Sequence, residues 1–223
     1  MERRIIATKD GSRTVEVPEL KVTYHSRHGA IEESRHVFLD AGLKDAFARF
    51  PEGPLSVFEM GFGTGLNALL TAIEARERRR FIQYVSIEAY PLPAAEAESL
   101  GYGDDLQERA LFSALHAAPW DMETEIHPWF TLRKDIVLLE ELQLPTRFHV
   151  IYYDAFAPAA QPHLWTEERF RQLYELLLPG GLLTTYCSKT VVRKAMMAAG
   201  FHVTKPPGPW GKREMVRAVK PRE

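Results

Sequence analysis

Cysteine is nearly absent. Cys187 stands alone in 223 residues, so no disulfide can close within the chain and no cysteine-based metal cluster can be built. Eight histidines are present (His25, His28, His36, His116, His127, His149, His163 and His202), but none has the spacing of a metal-binding motif, and no metal is expected. No apolar run reaches the roughly 20 residues needed to cross a bilayer. Met1 to Asp10 lacks the apolar stretch of a secretory leader, so the expected setting is cytoplasmic, without a membrane partner. Neither sign of charge dominates: 28 Lys and Arg against 30 Asp and Glu give a net charge of −2. That excludes a uniformly basic surface, and any RNA contact must come from a local patch.

What is present is an ordinary globular composition, 45% hydrophobic and 26% charged, which supports one well-buried core. Residues 1–50 read as an N-terminal extension packed on the main domain. Asp10-Gly11 marks a turn, Thr14 to Val17 and Leu20 to Tyr24 are short β-prone runs, and Val37 to Phe50 leads into a helix stopped by Pro51. From residue 51 to 223 buried strands alternate with amphipathic helices. Leu55 to Glu59, Phe81 to Glu88, Phe148 to Asp154 and Leu182 to Cys187 read as strands, with Phe201 to Thr204 and Glu214 to Val219 as two more at the end. Leu66, Leu69, Leu70 and Ile73 share one helix face. Ala94 to Leu100, Leu106 to Ala117, Phe170 to Leu177 (closed by Pro179-Gly180-Gly181) and Thr190 to Ala199 complete the helices. Glu123 to Arg133 is β-prone but broken by His127-Pro128. The alternation predicts an α/β, Rossmann-like fold: a mostly parallel sheet with helices on both faces and an N-terminal β extension.

In such sheets ligands bind beyond the carboxyl ends of the strands, and Glu59, Glu88 and Asp154 all stand at or next to such ends. The first leads into Gly61-Phe62-Gly63-Thr64-Gly65-Leu66-Asn67, whose alternate glycines let the backbone turn sharply against a ligand. The order G-x-G-x-G after a carboxylate, unlike G-x-G-x-x-G, favours a nucleoside with a cationic tail over a pyrophosphate. Glu88 is placed to accept from ribose hydroxyls and Asp135 from an adenine amino group. Asp154 sits in Tyr152-Tyr153-Asp154-Ala155-Phe156-Ala157-Pro158, a carboxylate among rings that can sandwich a flat base, with Trp165 able to add to that wall. At least one of Tyr152 and Tyr153 must instead face the core, since strand side chains alternate.

These segments resemble a known family. Glu59 to Asn67, Asp154-Ala155-Phe156-Ala157-Pro158 followed by Pro162 and Leu164-Trp165-Thr166, and Gly211-Lys212-Arg213-Glu214-Met215 are similar to ordered motifs of the tRNA 5-methylaminomethyl-2-thiouridine methyltransferase family. Tyr24-His25-Ser26, Glu33-Ser34 and Val37-Phe38-Leu39 resemble its N-terminal segment. The resemblance implies a class I methyltransferase using S-adenosylmethionine to convert 5-aminomethyl-(2-thio)uridine at the tRNA wobble position to its methylaminomethyl form. It implies Asp154 as the catalytic residue and Glu59, Gly61, Gly63, Gly65, Asn67 and Glu88 as the cofactor set. Tyr24, Phe156, Trp165, Lys212 and Arg213 are expected on the substrate side. Many relatives carry a fused flavin-dependent domain, for which these 223 residues leave no room, so a stand-alone form served by a separate enzyme is expected. Ala155 departs from the family's glycine at that position.

Three basic groups could meet phosphate: Arg76 with Arg78 to Arg80, Lys189 with Arg193 and Lys194, and Lys205 with Lys212 and Arg213. The arginine run ends a helix far from the ligand edge and reads as solvated surface, which leaves Lys212 and Arg213 as the better candidates. A small-molecule amine methyltransferase, an aminopropyl transferase and a non-catalytic binding module are the competing readings.

Overall fold

The computed structural model describes residues 2–145 and 147–222. The chain opens with β1 (Arg4–Ala7), β2 (Arg13–Val17) and β3 (Val22–Thr23), a three-stranded antiparallel sheet. Its first turn is the expected Asp10-Gly11, where Gly11 takes φ +88° and Asp10 accepts from the hydroxyls of Thr8 and Ser12. Strand β1 was not foreseen. A helix, α1, then runs through Ala30–Ser34, Arg35–Lys44 and Asp45–Arg49, and its middle ten residues are wound as a π-helix. Gly42 lies on its inner face so close to the sheet that a Cβ there would come within 3.1 Å of Thr184 and 3.2 Å of Tyr152.

The main sheet holds β4 (Leu55–Met60), β5 (Ile82–Ile87), β6 (Glu123–His127), β7 (Phe130–Asp135), β8 (Phe148–Tyr153), β9 (Leu177–Thr185), β10 (His202–Thr204) and β11 (Val216–Val219). Their order is β10-β11-β9-β8-β4-β5-β7-β6. The pairings of β9, β8, β4, β5 and β7 are parallel, while β6, β10 and β11 pair antiparallel at the two edges. Strand order reverses at β4 and β8, which places a ligand crevice beyond their carboxyl ends.

Neighbouring residues along each strand enter opposite cores. Val57, Tyr84, Val150, Tyr152 and Leu182 face α1, α2 (Leu66–Arg78), α4 (Tyr102–Asp105) and α5 (Arg109–Ala117), after the short α3 (Ala94–Glu98). Phe58, Val85, Ile151, Tyr153 and Leu183 face α6 (Glu167–Leu176) and α7 (Thr190–Ala198). Both Tyr152 and Tyr153 are therefore core residues, one on each face. Helix α6 starts where Thr166 Oγ1 accepts from the Arg169 N–H at 3.3 Å, with Glu167 and Glu168 in its first turn.

Three expectations need correction. His127-Pro128 does not weaken one strand but forms the turn between two, and β7 lies inside the sheet beside β5. The helix expected over 106–117 begins only at Arg109 as α5, because Gln107 takes φ +57°, and the separate short α4 that precedes it was not expected. Pro179-Gly180-Gly181 lies within β9, where the register with β8 shifts, and α6 ends earlier at Leu176.

Candidate active site

One row of residues closes the parallel strands: Tyr153, Met60, Ile87 and Asp135 are neighbours across β8, β4, β5 and β7. The next residue on the first three strands is Asp154, Gly61 and Glu88, so the topology gathers them at one crevice. The glycine loop crosses it. Gly61 and Phe62 donate their N–H groups to the Ile87 carbonyl at 3.0 and 3.1 Å, and Gly63 donates to Glu88 Oε2 at 3.0 Å. Gly61 and Gly63 take φ +93° and +50°, conformations that L side chains disfavour. Gly65, at φ +74°, is the residue before α2, and a Cβ on it would come within 2.8 Å of His116 Nε2.

Asp154 stands at the centre. Its Oδ2 accepts from Asn67 Nδ2 at 3.0 Å, which ties the end of β8 to the start of α2. Burial, with Glu33 and Glu59 nearby, holds the Asp154 carboxyl well above the usual carboxylate range, opposed by Asn67 and Lys212. Beneath the loop, Glu59 is fully buried and accepts from Ser86 Oγ at 2.8 Å, while its Oε1 has no partner. That burial pushes Glu59 up to about 8.

A cavity of about 470 Å³ fills the crevice, within the range of small-molecule sites. Gly61, Gly63, Asn67, Glu88, Asp154, Tyr24 and Phe156 all line it, as the sequence led us to expect. The Tyr24 and Phe156 rings meet edge-on at 5.1 Å, and Tyr24 lies over Gly63. Burial and the Glu88 charge raise the Tyr24 phenol to about 12, so it stays a neutral hydrogen-bonding group.

Other expected residues stand elsewhere. Glu59 lies under the loop, outside the cavity wall. Asp135 is nearly buried and bonded through both oxygens to Arg133 Nε, two residues back on the same strand face. Its backbone carbonyl, however, accepts from the Glu88 N–H at 3.0 Å. Trp165 is buried behind the wall, where its indole N–H donates to the Phe156 carbonyl at 2.8 Å. Lys212 turns inward to pair with Glu33 and cover the face of Tyr186 at 4.3 Å. Arg213 is exposed, away from the cavity wall. The arginine run behaves as expected: Arg76 pairs with Glu108, Arg78 pairs with Glu74, and Arg80 donates to the carbonyls of Phe50, Pro51, Glu52 and Gly53.

The residues not foreseen are supports. Lys134, almost wholly buried, donates to the carbonyls of Leu115 (2.8 Å) and His116 (3.2 Å) at the end of α5, and lies 4.9 Å over the Phe62 ring. His116 Nε2 in turn meets the Thr64 carbonyl at 3.1 Å. Gln161 Oε1 accepts from the Phe156 N–H at 3.0 Å. Val137, Leu138 and Leu139 supply an apolar wall whose sequence carries no distinctive signal.

A family model described as S-adenosyl-L-methionine-dependent methyltransferase matches residues 121–221. The chain is 35% identical to the tRNA 5-methylaminomethyl-2-thiouridine biosynthesis bifunctional protein MnmC of Pseudomonas paraeruginosa, over 86% of this chain and 31% of that protein. The protein of the same name from Chromobacterium violaceum is also 35% identical, with the same shares. The chain is an S-adenosyl-L-methionine-dependent methyltransferase, with the family's pattern over residues 121–221. It spans about a third of the length of these curated relatives. The crystal structure of MNMC2 from Aquifex aeolicus is similar to this methyltransferase with a TM-score of 0.76 at 23% identity, covering 97% of this chain and 70% of that one. Spermidine synthase from Thermotoga maritima is similar at a TM-score of 0.53 and 15% identity, over 99% and 73% of the chains, and shares the fold.

The methyltransferase's cavity fits that cofactor. Gly61 and Gly63, the positive-φ glycines in the cavity wall, leave a cradle that Cβ atoms would narrow, and three carboxylates (Glu88, Glu140 and Asp154) against the single arginine Arg3 suit a cationic ligand. Asn67 Oδ1, buried and without a partner, is a free acceptor in the same wall. No helix among the described residues is long and apolar enough to cross a membrane.

Proposed function

We propose that this methyltransferase N-methylates 5-aminomethyl-(2-thio)uridine at the wobble position of tRNA, giving the methylaminomethyl nucleoside. The observation that carries the reading is Asp154, a carboxylate held by Asn67 in the cavity wall that it shares with the glycine loop and the edge-on rings of Tyr24 and Phe156. The name of the relatives at 35% identity, which concerns this same nucleoside, supports it.

When bound, S-adenosylmethionine supplies an electrophilic methyl group. Gly61, Gly63, Asn67 and Glu88 would hold it, with Glu88 free to accept from ribose hydroxyls at the edge of the loop it already braces. Glu59 and Gly65 would serve from beneath, by shaping that loop. The acceptor amine must attack as the neutral base, although a free alkyl amine has a pKa near that of lysine, about 10.4. Asp154 Oδ1 would accept an N–H of the amine, aim its lone pair and take the proton released on alkylation. A carboxyl whose proton affinity is raised by burial is suited to that last step. Tyr24 and Phe156 would pack on the uracil ring. In this reading residues from 51 onward form the cofactor-binding domain, and residues 1–50 contribute Tyr24 to the substrate side. Arg213 remains a candidate for tRNA phosphate, and a separate enzyme supplies the aminomethyl group.

The test compares acceptors. Transfer to undermodified tRNA that exceeds transfer to free aminomethyl-uridine or simple alkyl amines by at least about a hundredfold supports the reading. Equal rates would make this a small-molecule amine methyltransferase.

A further inference from the structure

Lys212 was expected to reach outward to RNA phosphate, and instead it is folded into the molecule. Its ammonium pairs with Glu33 Oε1 across 179 positions of sequence and covers the ring of Tyr186 at 4.3 Å. Glu33 is itself buried in α1, and its other oxygen accepts from the Ser26 N–H at 2.7 Å. The Tyr186 hydroxyl donates to the Ala155 carbonyl at 2.8 Å, one residue beyond Asp154. Glu33, Lys212 and Tyr186 thus form one connected unit that ends on the catalytic segment, and it joins the N-terminal helix to the C-terminal loop. Neither Lys212 nor Glu33 is part of the cavity wall.

We propose that Lys212, clamped between Glu33 and the ring of Tyr186, is a positioning residue for Asp154: it supplies the positive charge that keeps this carboxyl able to ionise and fixes the segment that carries it. The proposal rests on the assignment of Asp154 as the group that faces the amine. The groups around Asp154 make such a charge necessary. Glu33 approaches from α1, Glu59 from the end of β4, the phenols of Tyr84 and Tyr186 from β5 and from beyond β9, and Asn67 from α2. Lys212 is the cation among the groups that act most strongly on the carboxyl. Burial and Glu33 oppose ionisation, Glu59 adds its charge only above about pH 8 where it loses its proton, and one ammonium and one amide favour it. The Glu33 partner holds the ammonium over the Tyr186 ring and outside the cavity wall, so that it influences Asp154 without occupying the acceptor's place.

The two ends of the clamp must act with opposite sign. The titration of Asp154 can be read directly by ¹³C NMR of carboxyl-labelled aspartate, with Asp154→Asn identifying the resonance. Lys212→Met is expected to raise the midpoint by about one pH unit, Glu33→Gln to lower it, and Lys212→Arg to leave it close to wild type. The acid limb of the kcat/KM profile for tRNA should move with these midpoints, while cofactor Kd stays constant. Midpoints that coincide in all variants, or that move the same way for Lys212→Met and Glu33→Gln, would overturn the proposal. If Lys212→Met does not fold, Lys212→Gln keeps part of the stem over Tyr186 and takes its place in the titration. A wild-type protein that transfers no methyl to tRNA would sink the proposed function alone, because the titration still decides the role of Lys212.

Discussion

Replacing Glu59 by glutamine should stabilise this protein at pH 8 and flatten its response to pH. The side chain is wholly buried with one hydrogen bond, from Ser86, and burial lifts its pKa from an ordinary 4.5 to about 8. Below pH 4.5 the folded and unfolded chains both carry the neutral acid. Between 4.5 and 8 the unfolded chain releases the proton and the folded chain keeps it, so stability falls as pH rises. Above 8 both are ionised and the loss is complete. The shift of about 3.5 units (8 minus 4.5) corresponds to about 5 kcal/mol at about 1.4 kcal/mol per unit, which is a ceiling once the site relaxes. His25 and His116, whose protonation burial pushes down to about 4, act in the opposite direction between pH 4 and 6.5, but they do so in both proteins. The difference between the two urea-unfolding curves therefore isolates Glu59. It should grow by several kcal/mol from pH 4.5 to 8 in favour of the variant. A constant difference, or a variant less stable at pH 8, would refute the reasoning. Because Glu59 lies outside the cavity wall, cofactor affinity should change less than about fivefold.

Four further outcomes are expected. Asp154→Asn should lower turnover by about 10² to 10⁴-fold with cofactor Kd nearly unchanged by calorimetry; full turnover would remove Asp154 from its role. Glu88→Ala strips the acceptor from the N–H groups of Gly63 and Tyr90, and cofactor binding should weaken by about tenfold or more. Gly63→Ala sets a Cβ at φ +50° and 3.3 Å from Tyr24 Cδ1, costing about 1–2 kcal/mol in denaturant titrations and displacing that ring from the loop. Lys134→Met leaves the carbonyls of Leu115 and His116 without their donor; about 1–3 kcal/mol of stability should be lost, and wild-type stability would show that this cap contributes nothing.

The sheet and its ligand edge were legible because they depend on local signals. Apolar runs ended by Glu59, Glu88 and Asp154 announce strand ends, and the glycine loop between β4 and α2 announces the crevice. What sequence reasoning missed depends on partners distant in the chain, or on geometry that composition does not record. Nothing near Lys212 indicates that Glu33 will meet it, and an isolated lysine beside an arginine resembles a phosphate contact. Trp165 follows the Asp154 segment closely enough to be taken for its wall, yet its indole N–H finds the Phe156 carbonyl from behind. Asp135 was placed toward an adenine, yet Arg133 lies two residues away on the same strand face and takes both of its oxygens. Pro179-Gly180-Gly181 looks like a helix stop, and a bulged strand tolerates the same residues. The π-wound stretch of α1 has no composition of its own, and the glycine within it, Gly42, answers to the nearness of Tyr152 and Thr184.

The most direct test of the central claim is transfer of a labelled methyl group from S-adenosylmethionine to tRNA lacking the wobble modification, followed by digestion and mass spectrometry of the nucleosides. The account predicts label in methylaminomethyl-uridine or its 2-thio form, and none with the Asp154→Asn protein. Cofactor binding without label in that nucleoside, or equal labelling by Asp154→Asn, would contradict it.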